Sequence, residues 1–177
     1  MTYISIAMRI DELVQSGELV AYRPRLTTAE LRRKMFISKE LRATLDNPNQ
    51  AVKFFRVDAE IEAALTLWAL GEHIFANEDG GPDFLKRLAK PPPEIWEIRV
   101  TAPRPQVRIF GRFAEPDTFV ALGIHFRPSL GDKSSRAWRA ASNECKLIWE
   151  AMFPHHSPFS GSTSTDYVTE NCDEFTI

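Results

Sequence analysis

The chain has 177 residues, with 22 basic and 24 acidic side chains and two cysteines. That length suits one substantial core, and two cysteines make no disulfide framework. No run approaches the ~18 apolar residues of a membrane helix and the N-terminus has no signal-peptide pattern, so the expectation is a cytoplasmic protein with no membrane partner. In chain order, Ile6, Ile10, Leu13 and Val14 fall at helical spacing, and Gly17 is a natural stop. LVAYRPRL continues in extended form around Pro24. Thr27 with Glu30 matches a capping box and opens a helix to about Leu45, which Asp46-Asn47-Pro48 closes. Residues 1–50 therefore read as a mainly helical extension.

VKFFRV at 52–57 reads as a short strand, and Asp58 then caps a helix whose stripe is Ile61, Leu65, Trp68 and Phe75. After a turn at 78–81, Phe84–Leu88 reads as a short basic helix, and Pro91-Pro92-Pro93 leads on stiffly. Three segments with period-two alternation follow, at about Ile95–Thr101, Gln106–Phe113 and Thr118–Arg127. Their connections are short enough to force antiparallel neighbours. Parity assigns Trp96, Ile98, Val100, Val107, Ile109, Phe113, Val120, Leu122, Ile124 and Phe126 to one apolar face. Glu97, Arg99, Arg108, Phe110, Arg112, His125 and Arg127 fall on the other. Ser134 or Ser135 caps a last helix to about Met152, expected on the Ile98, Ile109 and Leu122 face. Residues 155–177 are polar and Ser/Thr-rich, and read as a flexible or loosely docked tail.

Charge is segregated along this order. Residues 86–139 carry 11 basic and 5 acidic side chains, whereas 51–85 carry 2 and 7, and 140–177 carry 1 and 6. A basic block centred on a sheet is what a polyanion-binding face needs. The plainer alternative is that these arginines pair with acids on the flanking helices. The expected class is α+β, with helices on one face of an antiparallel sheet and the other face open.

Three stretches carry a family resemblance: FLKRLAKPPPEIWEIRV, QVRIFGRF and FVALGIHFRPSLGDK with the helix after it. Over residues 51–154 they resemble the RelE/HigB superfamily of bacterial toxins, in its phage-derived branch. Trp96-Glu97-Ile98-Arg99 matches the first motif of that family, and Val107-Arg108 matches the second with Val in place of the aromatic. Phe126-Arg127 and then Lys133 match the third, with Pro128 and Ser129 interrupting its basic pair. The resemblance implies a RelE/ParE-like four-stranded antiparallel sheet. It also implies the toxin of a type II toxin-antitoxin system: a metal-independent endoribonuclease that cuts mRNA, often on the ribosome, and is silenced by an antitoxin protein.

The residues suit that chemistry. An RNA 2′-hydroxyl attacking the adjacent phosphate needs a base, an acid and cations that stabilise the phosphorane. Arg99, Arg108, His125 and Arg127 are the expected catalytic residues, and Arg112, Lys133 and Phe110 the expected RNA contacts. No His, Cys, Asp or Glu set has ligand spacing, so neither metal nor other cofactor is expected. The alternative is a phage- or element-derived factor on the same fold that binds RNA or a protein without catalysis.

Overall fold

The computed structural model describes residues 5–25, 28–46, 57–77, 83–89, 93–102 and 104–174. Helix α1 (Ile6–Gln15) begins where the Ser5 hydroxyl accepts the Met8 N–H at 3.2 Å, and ends before Gly17, whose φ is 78°. Strands β1 (Leu19–Ala21) and β2 (Lys34–Ser38) then pair antiparallel. Met35 and Ile37 alternate inward along β2, so only α2 (Lys39–Asp46) remains of the helix expected from Thr27 to Leu45. Thr27 itself, and the strand expected at 52–57 up to Val57, lie outside the described residues.

Helix α3 (Asp58–Ala69) buries Ile61, Leu65 and Trp68, and the chain leaves it at Gly71 with φ 72°. Phe75 consequently falls on β3 (Ile74–Asn77) and is exposed, not on the helix stripe. The basic helix expected at Phe84–Leu88 is instead β4 (Leu85–Ala89), which pairs antiparallel with β5 (Ile95–Val100). Five residues cannot sustain a helix alone, and the ladder to β5 satisfies their backbone better. Strands β6 (Val107–Glu115) and β7 (Thr118–Phe126) follow as the alternation predicts, antiparallel to each other, with β6 also antiparallel to β5.

The expected four-stranded antiparallel sheet is overturned. One eight-stranded mixed sheet runs β1-β2-β7-β6-β5-β4-β3-β8, with β2 parallel to β7 and β3 parallel to both β4 and β8. The short strands on both flanks come from segments whose composition reads as helix, loop or tail, so parity in the three long strands could not reveal them. Both faces of the sheet are covered. Trp68 and Leu65 pack over Trp96, Ile98, Ile109, Phe113 and Phe119 on one side. On the other, Ile10 and Leu13 of α1 share a core with Ile95, Phe110, Val120, Leu122 and the helix α5 (Arg136–Met152).

A bulge explains why α5 lies on the face expected to be open. Phe110 faces Gly123 while Gly111 faces Ala121, which leaves Leu122 as the extra residue in β7. Parity flips there, so Val120 and Leu122 join Phe110 while Ile124 and Phe126 join Ile98. Between β7 and α5 lies the single turn α4 (Arg127–Leu130), and Ser135 caps α5 by accepting the Trp138 N–H at 3.0 Å. Residues 155–174, read from composition as a loose tail, form the turn α6 (Ser164–Tyr167) and the edge strand β8 (Cys172–Glu174). Tyr167 and Val168 are buried in the first core. Among the described residues, no helix is long and apolar enough to cross a membrane.

Candidate functional site

The strand register sets two rows of side chains across the sheet. Arg99 stands opposite Arg108, and Arg108 opposite His125. In the second row, Lys86 stands opposite Glu97, and Glu97 opposite Phe110. Directly opposed residues on antiparallel strands share a face with Cβ atoms roughly 5 Å apart. The register therefore gathers Lys86, Glu97, Arg99 and Arg108 at the end of the face that α5 does not cover with apolar residues.

The charges form one network. Glu97 lies 3.7 Å from Arg99 Nε and 3.4 Å from Arg108 Nε, and Arg99 Nη1 lies 3.4 Å from Asp83. Arg108 also donates to its own neighbour's carbonyl, Val107 O, at 2.9 Å and to Gln106 Oε1 at 3.2 Å. Lys86, Glu97, Arg108 and Asp83 are buried, and Arg99 is half-buried above them. Burial pushes the Glu97 carboxyl up, against the pull of Arg108, Arg99, Lys86 and Lys133. Burial pushes the Lys86 ammonium down, and the neighbouring charge of Lys133 adds to that. Arg108 is lowered by burial first, with Glu97 opposing and Arg99 and Arg127 reinforcing.

Arg127 closes one side. Its backbone N–H donates to Gln106 O at 2.8 Å, its guanidinium donates to Gly131 O, and Cζ stands 5.2 Å from the Trp138 ring. With Arg104 and Gln106 it lines an open pocket of about 450 Å³. Lys133 is exposed in the loop before α5. Among the described residues, Lys86, Arg99, Arg108, Arg127 and Lys133 thus interact around the carboxylates of Asp83 and Glu97.

Other expected site residues are placed differently. His125 sits beside Arg108 in the row, yet its ring packs 5.3 Å from Phe110 and lines a groove with Ser129, Ala137 and Glu144. Burial lowers its pKa from the ordinary 6.5, against a smaller upward pull from Glu144. Phe110 is fully buried between His125 and Trp138, so it is a core ring and not a stacking platform for bases. Arg112 is buried too, four residues along β6 from Arg108 and over the Trp149 ring, apart from the cluster. Arg108 forms the floor of the cluster and is not on an open face, because Gln106 and Glu97 hold it down. Lys86 and Asp83 were not legible as site residues. Reading Leu85–Ala89 as a strand with the parity of Glu97 is the signal that finds Lys86.

No family model, curated protein or solved structure matches the chain.

Proposed function

We propose that this chain binds RNA at the Lys86–Arg99–Arg108–Arg127–Lys133 cluster and cuts it there, as a RelE/HigB-type endoribonuclease toxin held in check by an antitoxin protein. The observation that carries the reading is the gathering of Lys86, Arg99, Arg108, Arg127 and Lys133 at one end of the sheet. A concentration of positive charge in one place is what attracts a phosphate backbone. Arg99 and Arg127 grip phosphate oxygens, Lys133 steers the strand, and Arg108 beneath them is fixed by Glu97. An RNA strand that uses His125 as the base for its 2′-hydroxyl must also enter the groove of Ser129, Ala137 and Glu144, where the imidazole sits and burial lowers its pKa. One observation favours the second reading, RNA binding without cleavage: Arg108 is 2% exposed and already ion-paired.

The test is RNA affinity against salt, with cleavage in a translating extract, for wild type and for Arg99→Ala, Arg127→Ala and Lys133→Ala. Each replacement weakens binding and lowers the salt slope by about 0.7, the value for one single-strand phosphate that the protein no longer neutralises. Removing a group that stabilises the transition state costs about 10²–10³-fold in cleavage rate. Four proteins alike in binding and cleavage would sink the proposal, and binding without cleavage selects the second reading.

A further inference from the structure

Among the described residues four arginines are more than nine-tenths buried, and three have several protein partners each, a carboxylate among them. Arg33 donates to the carbonyls of Glu72 at 3.0 Å and Glu170 at 2.6 Å, with Asp117 at 4.0 Å. Arg87 pairs with Glu94 and donates to Gly161 O at 3.3 Å. Arg108 has Glu97, Gln106 and Val107 O. Arg112 differs. Among the described residues its one hydrogen bond is from Nε to the Glu94 carbonyl at 3.3 Å, and no carboxylate lies within 4.0 Å. A guanidinium has five N–H donors, so its outer edge remains available.

That edge opens on a pocket of about 470 Å³, a volume typical of small-ligand sites. Its lining is mixed. Trp149 stacks on Phe153 at 4.3 Å and Arg112 Cζ stands 5.4 Å over the Trp149 ring, Pro93, Pro154 and Pro158 add flat apolar surface, and Lys146, Glu150, His155, His156 and Ser157 supply the polar part. The pocket is preformed. Trp149 Nε1 donates to His156 O at 3.0 Å and His156 N donates to Phe153 O at 3.0 Å, which fixes the turn after α5 as one wall. Lys146 stands at the rim 3.7 Å from Glu150, and His155 lies in the exposed turn beside it.

We propose that this pocket is a second anion site, separate from the basic cluster, which takes a nucleoside monophosphate. The phosphate meets the outer N–H groups of Arg112 in the two-pronged geometry a guanidinium favours, with Lys146 supplying the second positive charge. The base lies against Pro93, Pro154 and Pro158, which are exposed or half-buried, while the buried rings of Trp149 and Phe153 back that wall. A lone carboxylate would leave Lys146 to Glu150 and the proline surface unused, so a doubly charged group with a flat body fits better.

The experiment is a two-dimensional NMR titration of the full chain with AMP, inorganic phosphate, adenosine and acetate, followed at the Trp149 indole and Arg112 Nε–H. AMP moves both signals at the lowest concentration, phosphate does so more weakly, and adenosine and acetate do so least. Arg112→Gln weakens AMP about ten- to a hundredfold, as for loss of a charge-assisted hydrogen bond, and Arg112→Lys recovers part of it. Lys146→Glu, on the exposed rim, weakens AMP by a smaller factor and keeps the test open should the buried variants not fold. AMP shifts confined to Arg99 and Lys133, acetate binding as tightly as AMP, or undiminished AMP binding by Lys146→Glu and Arg112→Gln would each overturn the proposal.

Discussion

Glu94 serves four groups from one buried position. Its side chain accepts from Arg87, from Trp96 Nε1 at 3.3 Å and from the Tyr167 hydroxyl at 2.9 Å, while its carbonyl accepts from Arg112. Its φ of 49° lies in the left-handed region, tolerated here because those contacts over-determine it. Glu94→Ala removes the carboxylate of a buried ion pair and leaves the buried Arg87 charge without it, so urea unfolding should show a loss of about 3–5 kcal/mol. A loss below about 1 kcal/mol would show that the network contributes little. His125 gives a second residue-scale prediction. Its folded pKa is lowered, so the unfolded chain takes up its proton first. The stability it contributes is present above pH 6.5 and is lost as pH falls through the folded value. The imidazole proton resonance of His125 should titrate with a midpoint below 6.5, and His125→Asn should flatten the acid side of the stability profile. A midpoint at or above 6.5 would contradict the burial argument.

Among the elements, β6 and β7 owe their fit to one glycine. A Cβ on Gly111 would stand 2.3 Å from the Val120 carbonyl oxygen and 2.5 Å from the Phe119 ring, at the register shift where Leu122 is extra. Gly111→Ala must therefore move backbone, not only a flexible side chain, and should cost about 1–3 kcal/mol or more. A thermal melt indistinguishable from wild type would show that the bulge is free to shift. The same bulge marks where the sequence ceased to be legible. The bounds of β5, β6, β7 and α5 follow from alternation and from the cap at Ser135, because each is long enough for its pattern to dominate. The faces of Val120 and Leu122 do not follow, since one inserted residue reverses parity and leaves no compositional trace. Arg99, Arg108 and Arg127 could be gathered from sequence because they lie on β5, β6 and the residue after β7. Lys86 could not, since LKRLA has no alternation that a single chain displays.

At the scale of the molecule, the chain beyond α5 decides whether the sheet is complete. Phe159 N donates to Phe113 O at 2.7 Å, Asn171 Nδ2 donates to Gly71 O at 2.8 Å, and β8 pairs with β3. Tyr167 is fully buried, 4.5 Å from the Trp96 ring and 5.1 Å from the Phe113 ring. Glu170 and Asn171 supply carbonyls to the buried Arg33, so the end of the chain also satisfies a cation just before β2. The core around Trp68 and Trp96 thus draws on segments far apart in the chain, and residues 51–154 lack several of its walls. Tyr167→Ala alone removes a fully buried aromatic ring and should cost about 3–5 kcal/mol. For a chain of this size, with roughly 2–4 °C per kcal/mol, that lowers the melting temperature by about 6–20 °C. Truncation after residue 158 removes Tyr167 and Val168 together with the acceptors of Arg33, and the combined loss is comparable to the whole stability of a typical domain, about 5–15 kcal/mol. The truncated chain should lack a cooperative melt by circular dichroism and be digested rapidly by protease, whereas Glu170→Ala, which keeps the carbonyl that Arg33 uses, should melt close to wild type. A truncated chain with a sharp transition close to that of the full one would show that residues 159–174 are an appendage and that the first core closes without them.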